Sequence, residues 1–66
     1  MLIINGAGSV IAKNFILSKT NSKILAISRS SVVQQVGVEN VNLNDTEALV
    51  GCLEKIEDDE IVWVNF

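Results

Sequence analysis

The chain has 66 residues, net charge −3 and hydrophobic content of 48%, with mean hydropathy +0.39. Five basic residues form no cluster, which argues against a nucleic-acid partner; one cysteine and no histidine exclude an internal disulfide and a cysteine–histidine zinc site. No apolar run approaches the ~20 residues of a membrane span, and the N-terminal stretch lacks the positive start of an export signal, so a cytoplasmic location is expected.

Leu2-Ile3-Ile4 is a short apolar run halted by Asn5-Gly6, suited to a strand buried on both faces. Ser9 is a good helix cap. Behind it, Val10, Ile11, Ala12, Phe15, Ile16 and Leu17 give apolar spacing for a helix over Val10 to Lys19. Thr20-Asn21-Ser22 is a polar break. Ile24 to Ile27 is a second strand, and Ser31 to Gln35 is a turn of helix or a loop. Val38 to Leu43 is a third strand.

Asn44 is a candidate cap for a second helix, with Glu47 three residues on, where a capping box wants it. Leu49, Cys52, Leu53 and Ile56 follow at helical spacing, interrupted by Gly51. Glu57, Asp58, Asp59 and Glu60 read as a solvated acidic turn rather than a metal site, and Cys52 as a buried structural thiol rather than a nucleophile. Ile61 to Val64 is a fourth strand, in which Trp63 is most simply a core or interface aromatic.

Strands alternating with helices imply an α/β fold with a parallel sheet and right-handed crossovers. Four strands with two to three helices amount to the N-terminal half of a doubly wound sheet. Residues 1–66 read as a single partial domain, expected to be a fragment of a longer chain. An uncovered last strand predicts self-association or a missing C-terminal part.

The centre of this arrangement is N-G-A-G-S-V-I-A, Asn5 to Ala12, where a strand should meet a helix. Glycines let the backbone pass close to an anion, and the unpaired N–H groups of a helix start then point at it. Gly6 and Gly8 fit the first two positions of G-x-G-x-x-G; Ile11 misses the third. The competing explanation is a glycine turn needed only for a tight connection. The phosphate loop of NTPases fits poorly, since its lysine would fall at Ala12.

This stretch resembles the opening of the short-chain dehydrogenases/reductases, T-G-x-x-x-G-x-G after the first strand. Asn5 stands for Thr, Gly6 for the first Gly, Val10 for the second and Ala12 for the third. Three later markers carry the same resemblance. Ser28-Arg29-Ser30 ends the second strand about 20 residues on, where an acid would bind the ribose 2′-OH of NAD. Arg29 there leans to the 2′-phosphate of NADP, or is a solvated surface arginine; the missing acid also weakens a methyltransferase reading. Asn42 stands where the family has an Asp for the adenine amino group, or simply ends a strand. Val64-Asn65 matches the start of V-N-N-A-G, with Phe66 departing.

The resemblance implies a Rossmann-like fold and an NAD(P)-dependent oxidoreductase, with NADP favoured over NAD. It places Gly6, Gly8, Ser9, Val10, Ile11, Arg29, Asn42 and Asn65 in the cofactor site. The partners would be the dinucleotide and a small-molecule substrate. The family's Tyr-x-x-x-Lys pair has no counterpart here, since the chain holds no tyrosine, so no catalytic residue is expected among these residues. A non-catalytic nucleotide-sensing or interaction module with the same half-fold is the alternative.

Overall fold

A computed structural model describes residues 1–19, 22–29, 34–57 and 60–66. Six elements follow in the order β1 (Leu2–Asn5), α1 (Val10–Leu17), β2 (Ile24–Ser28), β3 (Val38–Asn42), α2 (Thr46–Glu54) and β4 (Val62–Asn65). The four strands form one sheet in the order β3-β2-β1-β4, every neighbouring pair parallel. The chain is therefore α/β with an all-parallel sheet and two helices.

The apolar runs behave as their continuity requires. All five residues of β2 are buried, and both inner positions of β1 are. Alternate side chains reach opposite faces of the sheet. Ile4, Ile24 and Ala26 pack with Ala7, Ala12 and Ile16 under α1. Ile3, Leu25, Ile27 and Val41 form the second core, with Leu49, Cys52 and Ile56 against it from the side of α2. Each fully buried Ile or Leu contributes about 1.5–3 kcal/mol, so these two clusters hold the sheet. Ala7 and Ala12 are fully buried at the first interface.

Several boundaries and faces differ from the sequence expectation. α1 stops at Leu17 rather than Lys19: the Ser18 hydroxyl donates to the Phe15 carbonyl, and the Lys19 N–H bonds the Ile16 carbonyl in a tighter i−3 turn instead of continuing the helical pattern. Only Ala12 and Ile16 of α1 are fully buried. Val10, Ile11 and Leu17 fall outside the narrow stripe that a single contact face allows, and are exposed. β3 ends at Asn42, not Leu43, because the Asn42 side chain accepts the Asn44 N–H at 2.8 Å and turns the chain. β4 begins at Val62 and runs on to Asn65.

The second helix is capped by Asp45, not Asn44: its carboxylate accepts the Ala48 N–H at 3.1 Å. Glu47 consequently lies one position short of a capping box and meets the positive end of the helix instead. Leu53 is exposed rather than part of the apolar face, and Trp63 belongs to neither core cluster, with 49% of its surface open. Cys52 is half-buried, and its S–H donates to Glu39 Oε1 at 3.4 Å. Most of Ser31 to Gln35, and Asp58 and Asp59 of the acidic turn, lie outside the described residues. No helix among the described residues is long and apolar enough to cross a membrane.

Candidate functional site

The turn after β1 is built by hydrogen bonds that its sequence makes available. Gly6 adopts φ +81°, a conformation that any side chain resists. The N–H groups of Gly6 and Ala7 both donate to the Ile27 carbonyl at 3.0 Å, which ties the turn to β2. The Ser9 N–H donates back to the Gly6 carbonyl at 3.2 Å and closes it. Ser9 is extended, and its Oγ accepts the Ala12 N–H at 3.1 Å, as a helix cap should.

What these bonds leave over is the chemistry of the site. The N–H groups of Gly8, Val10 and Ile11 have no partner among the described residues. Three amide donors at the start of a helix, with its positive dipole end behind them, suit an anion. Gly8 does not share the positive φ of Gly6. The Val10 and Ile11 side chains stand 75% and 73% exposed beside the turn.

Gly6 also lines a cleft of about 190 Å³ at the carboxyl ends of the strands, with Ile27, Ser28, Arg29, Leu43 and Phe66. Arg29 is the one charged side chain among the lining residues. Gly6 and Arg29, widely separated in sequence, thus share one cleft, because β1 and β2 are in register from Leu2↔Ile24 to Asn5↔Ile27.

The two asparagines expected at the site do not line this cleft. Asn42 ends β3 with its oxygen already bonded to the Asn44 N–H. Asn65 ends β4, and its Oδ1 accepts both the Trp63 indole N–H at 2.8 Å and the Asn5 amide at 3.2 Å. Five residues that the resemblance did not place in the cofactor site line the cleft: Asn5, Ile27, Ser28, Leu43 and Phe66. Asn5 was legible as the last polar residue before the turn; Phe66 carries no local signal.

A second cavity, about 320 Å³, lies at the amino ends of the strands among Met1, Leu2, Lys23, Glu60 and Val62. It is larger, but no glycine turn or helix start faces it. Ligands of open parallel sheets bind at the carboxyl ends, which favours the smaller cleft. Among the described residues no group of three His, Cys, Asp or Glu is placed to hold a metal ion. No protein-family model, curated protein or solved structure matches this chain.

Proposed function

We propose that these residues are the cofactor-binding part of an NAD(P)-dependent oxidoreductase of the short-chain dehydrogenase/reductase kind, with NADP favoured. The observation that carries this is the turn and helix start from Gly6 to Ile11, where three amide donors have no partner among the described residues, at the carboxyl end of a central parallel strand. The strand order β3-β2-β1-β4 supports it, since dinucleotide-binding sheets run 3-2-1-4 over their first four strands. On this reading the fold is the first half of a Rossmann-like sheet.

The residues fit the phosphate portion of such a cofactor. Gly8, Val10 and Ile11 would bind the pyrophosphate through their N–H groups, and Arg29 the 2′-phosphate. A cleft of about 190 Å³ is smaller than the roughly 300–1,000 Å³ of sites that enclose a whole small molecule, so it suits one end of the ligand. When bound, the dinucleotide supplies hydride transfer. The acid and base for that step would come from groups other than these residues, which include no tyrosine and no histidine.

The test is a calorimetric titration with NADPH and with NADH. Micromolar binding of NADPH, weaker binding of NADH, and loss of that preference in Arg29→Ala are expected. Absence of binding to any protein that contains this chain intact would overturn the proposal. One observation favours the nucleotide-sensing alternative. Val10 places an exposed branched side chain where the family leaves space for the pyrophosphate. Binding without turnover of any carbonyl compound would select that alternative.

A further inference from the structure

Three polar side chains meet where β1 and β4 end side by side. Asn65 Oδ1 receives the Trp63 indole N–H at 2.8 Å and an Asn5 side-chain N–H at 3.2 Å. Asn5 and Asn65 are register partners, and Trp63 lies two residues before Asn65, on the same face of the strand. An indole N–H only donates. The Asn65 atom it meets is therefore the amide oxygen. The Asn5 atom that meets the same oxygen is then its amide nitrogen. One tryptophan thus fixes the orientation of two asparagine amides.

The spare atoms follow from that. Asn65 Oδ1 has both lone pairs engaged, so Asn65 offers only its NH2 donors. Asn5 has committed a donor and keeps its Oδ1 acceptor. Neither spare group has a partner among the described residues. Asn5 also lines the cleft that holds Gly6 and Arg29. The strand ends therefore offer an uncharged donor and an uncharged acceptor on paired residues.

We infer that Asn5 and Asn65, oriented by Trp63, bind the edge of an uncharged amide-like group that carries an N–H donor beside an acceptor. A carboxamide has this pattern, and so does the amino edge of adenine. A carboxylate or a phosphate lacks the donor. The inference rests on the nucleotide reading only in that the phosphate of the same ligand would sit on the glycine turn. Trp63 is a positioning residue, acting through Asn65.

The experiment follows backbone and side-chain N–H signals of this chain by NMR, with three probes. Inorganic pyrophosphate reports on the glycine turn alone. Nicotinamide mononucleotide adds a carboxamide, and adenosine monophosphate adds adenine. At least one mononucleotide is expected to shift the Asn5, Asn65 and Trp63 side-chain signals, and whichever does so names the source of the amide-like edge. Trp63→Phe and Asn65→Asp should each weaken that mononucleotide about fivefold to tenfold and leave pyrophosphate affinity unchanged. If Trp63→Phe fails to fold, Asn65→Asp carries the comparison.

A mononucleotide that shifts the Gly8, Val10 and Ile11 amides but not the three side chains would overturn the inference and leave the nucleotide reading standing. So would an affinity indifferent to both variants. Side-chain shifts with no pyrophosphate response would support the inference and overturn the phosphate role of the turn. No response to any probe would overturn both.

Discussion

The carbonyl oxygen of Phe66 lies 2.6 Å from the point where a Cβ on Gly6 would stand. Gly6 is therefore held by two independent demands, its φ of +81° and the backbone of the strand beside it. Gly6→Ala meets both at once. The expected outcome is a loss of about 2–4 kcal/mol, read as a lower denaturation midpoint, from strain in the left-handed region plus displacement of Phe66. Conversion at Gly51 is the contrast. A Cβ there meets nothing within 4 Å.

Gly51→Ala should accordingly stabilise the chain by about 0.5–1 kcal/mol, through helix propensity and a less flexible unfolded chain. Urea unfolding would measure it. A destabilised variant would mean that Gly51 has a packing role which the open space around it does not suggest.

Ser9 is the N-cap of α1, bonding the Ala12 N–H at 3.1 Å. Ser9→Ala should destabilise by about 1 kcal/mol, and Ser9→Gly by only a few tenths. The same change adds the Ala12 N–H to the unpaired donors at the helix start. Thermal melts of the two variants, compared with the parent, check the order.

The Cys52 thiol is pushed above its ordinary value by burial first, then by its hydrogen bond to Glu39 and the charge of that carboxylate, with Lys55 opposing. A raised value means that the folded chain favours the protonated thiol. The stabilisation is therefore full below the unfolded-state value of about 8.5 and is lost as pH climbs through the folded-state value. Alkylation by iodoacetamide should be slower than that of a free peptide thiol at pH 8, and Glu39→Gln should speed it. An equal rate in parent and variant would rule out the carboxylate's influence.

β4 is an edge strand whose Val62 and Phe66 N–H groups turn inward to β1. Ile61 to Phe66 carries no charge, and Ile61, Val62 and Trp63 are all about half exposed. Such an edge is a template for pairing with another strand. The chain is expected to sediment in a concentration-dependent way, and Ile61→Lys to reduce that dependence. A concentration-independent monomer would refute it.

Much of this architecture was readable from short-range chemistry. Leu2 to Ile4 and Ile24 to Ile27 are apolar on both faces, and both became central strands. Ser9 was legible as a cap because a cap is a local event spanning three residues. The second cap was misplaced because Asn42, Asn44 and Asp45 all compete within four positions. The Asn42 side chain captures the Asn44 N–H, which leaves the capping position to Asp45.

Contacts set by register were out of reach. Nothing near Phe66 points to Gly6, and nothing near Trp63 points to Asn5. Both follow from the pairing Asn5↔Asn65, which joins residues 60 apart. The exposure of Val10, Ile11 and Leu17 was equally hidden. Periodicity tells which residues share a stripe, but the partner decides how wide a stripe is covered.

That 60-residue separation also imposes a schedule on the emerging chain. β1 meets β2 soon after leaving the ribosome, so the Gly6 and Ala7 bonds to Ile27 can form early. Its other flank stays bare until Val62 to Asn65 appear, roughly 3–12 seconds later at ~5–20 residues per second. The glycine turn can thus be assembled before the wall that Phe66 gives its cleft. If the nucleotide proposal holds, a nascent chain would acquire phosphate affinity first, and selectivity for what the phosphate is attached to only when translation reaches the fourth strand.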